Sequence, residues 1–357
     1  MGLSYLSICS GIEAATVAWH PLGWTPLAFS ELAKFPRKVL AHHYPDVPLH
    51  GDFTLLRDQP WIAGADVLVG GTPCQSFSVA GLRGGLSDSR GNLTLECVRL
   101  ANAIDDLRPA TDPATILWEN VPGVLSSRDN AFGALLAGLG GCDAPIVNAG
   151  GWPGAGVVAG PRRVVAWRIL DAQFFGVAQR RRRVFVVAVG RSAYCNGWSA
   201  ADALLPIGES VPWDSEPSRE AWEAAAGGAA GGSGGVRQVV GALCSDAHPG
   251  SYSGQDAYTG RLIPAVFQWN AGSHGMAIGN DVSITLDKSN IPAVSHAPAS
   301  AVRRLTPMEC ERPQGFPDNY TAIPGAADGP RYAALGNSMA VPVIAWIGKQ
   351  IAATRNP

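Results

Sequence analysis

Cys74 ends an apolar run, Asp66-Val67-Leu68-Val69-Gly70-Gly71-Thr72, and is flanked by Pro73 and Gln75. The run reads as a buried strand. Ser76, Ser78, Gly81, Gly84 and Gly85 behind it read as a flexible loop. A cysteine at the carboxyl end of a parallel strand occupies the place where open α/β sheets put their chemistry. The thiol there is a candidate nucleophile, provided that nearby cations or amide dipoles lower its pKa. A second apolar run, Ile116-Leu117-Trp118, closes with an acid and an amide, Glu119 and Asn120. A third chemical cluster is Gln179-Arg180-Arg181-Arg182-Arg183, leading into Val184-Phe185. In an extended segment side chains alternate, so Arg181 and Arg183 share one face and Arg180 and Arg182 the other.

Near the N-terminus, Ser7-Ile8-Cys9-Ser10-Gly11-Ile12-Glu13-Ala14-Ala15 reads as a strand, a tight turn and the start of a helix. Such a junction presents backbone amides to a ligand. Glu31 follows the second apolar run, Leu27-Ala28-Phe29-Ser30, at the position from which an acid reaches a pair of ribose hydroxyls. Asp52, after Gly51, ends a third strand position. The second glycine of the dinucleotide fingerprint is missing, with Glu13 and Ala14 in its place. A pyrophosphate disfavours a carboxylate that close, whereas S-adenosylmethionine, which has no phosphate, does not. Glu13 also suits the positive end of a helix dipole, a structural role that needs no ligand.

These residues require a scaffold that brings strand ends together. Strands are predicted at Tyr5–Cys9, Thr25–Ser30, Val67–Gly70, Thr115–Trp118, Arg163–Leu170 and Val184–Val189. The first five are separated by helical or loop segments, which implies crossovers and a mainly parallel, doubly wound sheet. The last two are predicted to pair as a hairpin. Hydrophobic residues make up 46% of the 357 and charged residues only 16%, so a large core is expected. The net charge of -2 confines any nucleic-acid contact to a local basic surface. Seven cysteines without a Cys-x-x-Cys pair argue against a disulfide framework and a zinc knuckle. The histidines form no metal-like cluster, and no metal is expected. No basic region precedes the N-terminal apolar run, and no stretch approaches the roughly 20 apolar residues of a membrane helix. A soluble cytoplasmic protein is expected.

Composition shifts near residue 191. Residues 191–300 are rich in Gly, Ala, Ser, Pro and Trp, with a tether at 224–235 and short strand-like runs at 236–243, 261–269 and 282–286. Thr306-Pro307-Met308-Glu309 carries a helix start with a capping box. A last helix is predicted over 341–353. The domains are therefore drawn as 1–190, 191–300 and a return segment, 301–357.

In order along the chain, Ser10-Gly11-Ile12, Glu31, Gly51-Asp52, Pro73-Cys74-Gln75-Ser76-Phe77-Ser78, Asp88-Ser89-Arg90-Gly91-Asn92-Leu93, Glu119-Asn120-Val121, Gln179-x-Arg181-x-Arg183, Arg304-Leu305-Thr306 with Gly315-Phe316-Pro317, and Gly336-Asn337-Ser338 resemble the motifs of the DNA (cytosine-5)-methyltransferases, bacterial or phage type. The resemblance spans residues 5–190 and 302–350. It implies a Rossmann-like, S-adenosylmethionine-dependent α/β fold with a smaller mixed target-recognition domain. It implies a methyl transfer to carbon 5 of a flipped-out cytosine in a specific double-stranded DNA sequence. Cys74 would add to carbon 6, Glu119 would hold and protonate the ring nitrogen, and Arg181 would brace the base carbonyl. Ser10, Gly11, Ile12, Glu31, Asp52, Pro73, Leu93, Asn337 and Ser338 would hold the cofactor. Gln75, Ser78, Arg83, Arg90, Arg163 and Arg183 are the candidate DNA contacts, with Arg183 also a candidate partner for an acid. The middle segment would read the sequence. A monomer is expected, together with a cognate restriction endonuclease against which methylation protects. Three rivals remain: an RNA cytosine-5 methyltransferase, a catalytically silent DNA-binding relative, and an NAD-linked oxidoreductase.

Overall fold

The computed structural model describes residues 2–73, 93–127, 129–191, 266–268, 278–279, 292–296 and 301–355. Chain contacts group it into two units. The first comprises Met1–Leu170, Arg182–Val211 and Val343–Pro357, the second Asp171–Arg181 and Pro212–Pro342. Composition drew the boundaries elsewhere, because it cannot see that 171–181 and 305–342 pack together.

The first unit is built on an eight-stranded sheet in the order β3-β2-β1-β4-β5-β8-β7-β6. Its strands are β1 (Ser4–Ile8), β2 (Thr25–Ser30), β3 (Leu49–His50), β4 (Val67–Gly70), β5 (Thr115–Asn120), β6 (Ala155–Ala159), β7 (Arg163–Asp171) and β8 (Arg182–Gly190). The pairs β1–β2, β2–β3, β1–β4 and β4–β5 are parallel. The pairs β5–β8 and β6–β7 are antiparallel. The chain therefore runs outward from β1 to β3 and returns to place β4 on the other side of β1. That reversal makes the crevice beyond the carboxyl ends of β1 and β4 the expected ligand site. The central strands β4 and β5 are buried at every position, as the apolar runs Val67-Leu68-Val69 and Ile116-Leu117-Trp118 require. β6 was not anticipated; its Ala-Gly-Val-Val-Ala sequence sits in a stretch rich in Gly and Pro and gains strand character only by pairing with β7.

Helices α1 (Ala14–Trp19), α2 (Lys34–His43), α3 (Leu93–Asp106) and α4 (Ala131–Gly140) flank this sheet in sequence. The core gathers Leu6, Ile8, Leu68, Ile116 and Trp118 from the strands with Val98, Leu100, Phe132 and Leu136 from α3 and α4. Gly70 is required where β4 meets β1, since a Cβ there would lie 2.3 Å from the Ile8 carbonyl oxygen. The C-terminal stretch returns to this unit. Trp19 Nε1 donates to the Ile344 carbonyl at 2.9 Å, and Gly348 leaves room for the same indole.

The second unit contains a four-stranded antiparallel sheet, β10-β9-β11-β12, from β9 (Val266–Gln268), β10 (Ile278–Gly279), β11 (Pro292–His296) and β12 (Ala301–Arg304). Helices α5 (Pro307–Gln314) and α6 (Asp328–Asn337) follow, and α7 (Val341–Arg355) carries the chain back. The capping box at Thr306 and Glu309 is present as the sequence predicts. Of the other strand-like runs in the middle segment, 236–243 and 282–286 lie outside the described residues. No helix among the described residues is long and apolar enough to cross a membrane.

Candidate active site

The first unit presents its chemistry at one edge of the sheet, past the carboxyl ends of β1 to β5. At β1, Cys9, Gly11 and Glu13 adopt positive φ of 49°, 56° and 65°. This folds the chain into a tight turn before α1. The turn is tied to both neighbouring strands: the Ser10 amide donates to the Ser30 carbonyl of β2 at 3.1 Å and the Ser10 hydroxyl to the Ser7 carbonyl of β1 at 3.0 Å. The Gly11 amide donates to Glu31 Oε2 at 2.8 Å, and the Ala33 amide to Glu31 Oε1 at 2.7 Å. The acid that sequence placed on a ribose is thus fixed by two backbone amides beside the glycine turn. A Cβ on Gly11 would meet nothing within 4 Å, so the space above the turn is open. Leu32, next to Glu31, is 69% exposed and offers an apolar surface there. Asp52 caps the short turn after β3, accepting from the Thr54 amide at 2.9 Å. Ile12 and Ser10 are buried beneath the turn.

Past β4, the segment entering Cys74 is clamped. Trp118 Nε1 donates to the Thr72 hydroxyl at 3.0 Å and Asn120 Nδ2 to the Thr72 carbonyl at 2.9 Å. The Thr72 hydroxyl also meets that of Thr94 at 2.8 Å. Pro73 is exposed, and Leu93 opens α3 half-buried. Cys74, Gln75, Ser78, Arg83 and Arg90 lie outside the described residues.

Glu119 alternates with Trp118 and Asn120 along β5 and takes the opposite face. A Cβ on Gly71 would sit 3.0 Å from Glu119 Oε2, so glycine is what lets the carboxylate lie against the strand that leads to Cys74. Glu119 Oε1 is 3.1 Å from Nε of Arg183, both side chains largely buried. The antiparallel register of β5 and β8 puts Val184 opposite Asn120, bringing Arg183 to this edge.

The structure gives the two arginines different partners. Arg183 is the cation on Glu119. Arg181, in the second unit, is buried and donates from Nη2 to the carbonyls of Ser338 at 2.6 Å and Gly336 at 3.1 Å. Its amide donates to Asp171 Oδ1 at 2.8 Å. Ser338, at the end of α6, is buried and Asn337 exposed. Sequence alternation put Arg181 and Arg183 on one face but carried no register, so it could not say which would meet the acid.

Arg163 requires a correction. It is fully buried and makes no surface for DNA. Its guanidinium donates to Asn102 Oδ1 at 2.9 Å, the Ala101 carbonyl at 2.9 Å and the Leu139 carbonyl at 3.1 Å, and it pairs with Asp105. It also begins β7, whose far end reaches the Asp171–Arg181 contact, so it sits at the sheet edge opposite the site. Arg162 next to it faces outward and pairs with Asp106 at 3.1 Å.

Thiols in the site region are not activated among the described residues. Burial, reinforced by Glu31, Cys97 and Asp52, pushes Cys9 up to about 12. No group of three or more metal-ligating side chains occurs among the described residues.

A glycine turn, a clamped acid, a carboxylate at the end of β5 and the Gly71–Pro73 segment that precedes Cys74 in the sequence, all beyond the carboxyl ends of a doubly wound sheet, define a group-transfer enzyme of the α/β methyltransferase class. The chain belongs to the C-5 cytosine-specific DNA methylase family, whose profile matches residues 3–159, 160–211 and 254–353. It is 40% identical over 465 aligned positions to a protein of Escherichia phage P1 named DNA N-6-adenine-methyltransferase. The match covers 98% of this chain but 61% of that relative's length. It is 26% identical over 360 positions to the type II methyltransferase M.HpaII of Haemophilus parainfluenzae, covering 98% of this chain and 88% of that protein. In fold it matches the S. pombe Dnmt2 methyltransferase with a TM-score of 0.61 at 16% identity, over the full length of both. It also matches a putative DNA modification methyltransferase encoded within an E. coli prophage, with a TM-score of 0.57 at 18% identity and again full coverage.

Proposed function

We propose that this protein methylates carbon 5 of cytosine in a specific double-stranded DNA sequence. The observation that carries the reading is the Glu119–Arg183 pair at 3.1 Å, set against the Gly71–Pro73 segment that delivers Cys74. Cytosine carbon 5 is a weak nucleophile, and three groups remedy that. The Cys74 thiolate adds to carbon 6 of the flipped base. Glu119 holds the ring nitrogen beside the amino group and gives it a proton, drawing electrons from carbon 6. Arg183 orients that carboxylate, and its guanidinium would brace the base carbonyl beside the ring nitrogen. Arg181 then acts as a positioning residue for the Gly336–Ser338 turn. Carbon 5, made nucleophilic, takes the methyl as its bond to the donor sulfur breaks; loss of the carbon 5 proton to water, return of the ring-nitrogen proton to Glu119 and departure of the Cys74 thiolate from carbon 6 then restore the aromatic ring.

The site fits S-adenosylmethionine. Gly11 leaves open space, Glu31 offers a carboxylate held in place by two backbone amides, Asp52 stands at the neighbouring strand end, and Leu32 presents an apolar face. When bound, that cofactor supplies an electrophilic methyl group. We assign sequence reading to residues within 191–300 and cofactor support to Asn337 and Ser338. A cytoplasmic setting and a restriction partner belong to the same reading.

One finding favours a second reading: the name of the phage P1 relative points to adenine N6. An exocyclic amine attacks a methyl group directly and needs neither a thiol nor an acid on the ring nitrogen. Mass spectrometry of nucleosides from DNA and RNA of expressing cells separates the readings. We expect 5-methylcytosine in DNA, lost in Cys74→Ser. N6-methyladenine alone, or 5-methylcytosine in RNA alone, overturns the assignment.

A further inference from the structure

Glu13 is a charged member of the cofactor turn that the proposed chemistry leaves unused. It is 1% exposed, yet its backbone takes the left-handed conformation at φ 65°, which disfavours a branched or bulky side chain. Its carboxyl is aimed inward. Oε2 accepts from the Ser7 hydroxyl at 2.9 Å, and Oε1 accepts from the Thr16 amide at 3.2 Å. The first contact ties the turn to β1 and the second to α1. The Glu13 amide donates to the Ser10 carbonyl at 3.0 Å, so the anchored residue closes the loop that carries Gly11. Gly11 in turn donates to Glu31. A single carboxyl thus holds, from beneath, the turn whose upper side meets the acid assigned to the cofactor ribose. Where a dinucleotide turn uses a second glycine, this chain uses an acid that locks the backbone by side-chain bonds.

The two bonds demand two acceptor oxygens. An ionised carboxylate supplies both. A protonated carboxyl turns one oxygen into a donor, so the Ser7 hydroxyl must reverse to accept from it, and the contact loses the charge-assisted strength it has with the carboxylate. We propose that Glu13 is the positioning residue of the cofactor turn, and that its ionised form holds the turn in the arrangement that binds S-adenosylmethionine. Burial pushes its pKa up to about 7, while the Ser7 hydroxyl and the Thr16 amide pull it down and the Glu31 charge pushes it up. Around it, Tyr5 of β1 bonds its hydroxyl to Thr16 at 2.6 Å, and Glu31 follows β2; neither brings a positive charge.

The inference rests on the cofactor reading, and the test keeps the two apart. Affinities of S-adenosylmethionine and of S-adenosylhomocysteine are measured by calorimetry on the full chain from pH 5.5 to 8.5. The turn holds what both ligands share, so both should bind more tightly as pH rises, by about tenfold for one pKa unit of coupling. Glu13→Gln should flatten both profiles. Ser7→Ala, which removes a bond that favours the carboxylate, should move the midpoint to higher pH. A merely structural Glu13 would lower affinity equally at every pH and leave the midpoint of Ser7→Ala unmoved. That result, wild-type profiles that are already flat, or a pH dependence for S-adenosylmethionine alone overturns the inference. Binding of neither ligand at any pH overturns the cofactor reading itself.

Discussion

Replacing Arg163 by Met tests whether basic residues in this chain can be assigned from position alone. The guanidinium is wholly buried and makes three hydrogen bonds, to Asn102, Ala101 and Leu139, besides its pair with Asp105. Methionine fills most of the volume but restores none of these bonds. It leaves Asp105, whose side chain is 9% exposed, as a buried carboxylate without its cation. Asp105 keeps one donor, the Ala114 amide at 2.8 Å. Removing one partner of a buried pair costs about 3–5 kcal/mol. For a unit of this size that lowers Tm by roughly 10 °C. Differential scanning calorimetry measures the first quantity, and DNA affinity against salt concentration measures the second. A phosphate contact would contribute about one unit to the slope of log affinity against log salt. We expect a large fall in Tm with the slope unchanged, and partial recovery in Arg163→Met with Asp105→Asn, because the stranded charge is then gone. A variant with wild-type Tm and a shallower salt slope would refute the reasoning and return Arg163 to the DNA.

Arg183→Ala should reduce methylation at least a hundredfold with cofactor affinity unchanged, as read by single-turnover kinetics and calorimetry, because Glu119 loses the cation at 3.1 Å. Arg181→Ala should instead destabilise the fold by about 3 kcal/mol in chemical denaturation, since it strands the carbonyls of Gly336 and Ser338. Glu13→Gln should alter the pH dependence of stability. A carboxyl whose folded pKa rises from 4.5 to about 7 makes the native state lose stability as pH climbs through that window, by about 3 kcal/mol in total, and the amide variant should lack that slope in urea titrations. Gly70→Ala should fail to accumulate as soluble protein, because its Cβ would lie 2.3 Å from the Ile8 carbonyl, whereas Gly123→Ala, with nothing within 4 Å, should behave as wild type in the same expression assay. DNA carrying 5-fluorocytosine at the target should form a covalent adduct with wild-type protein and none with Cys74→Ser, read on denaturing gels.

The strands were legible where burial on both faces writes an unbroken apolar run, as in β4 and β5, and the capping box announced α5 from four residues. β6 was not legible, because pairing with β7 rather than composition makes it a strand. By its place in the sequence Glu13 suits the positive end of a helix dipole. It is the residue before that helix, buried and left-handed, because its carboxyl finds Ser7 across the turn. Neighbouring arginines show the limit most clearly: Arg162 points outward to Asp106, while Arg163 is enclosed.

The sequence by itself determined the family, the parallel direction of the first strands and the chemical types at their ends, since side-chain identity and local periodicity suffice for those. Tertiary structure decided which arginine meets Glu119, which arginine is interior, and what Glu13 holds. Alternation along a strand fixes only that neighbours face opposite ways. Which way is inward, which edge carries the site, and which partner lies across the gap follow from strand order and register, and these are set by contacts between residues far apart in the chain.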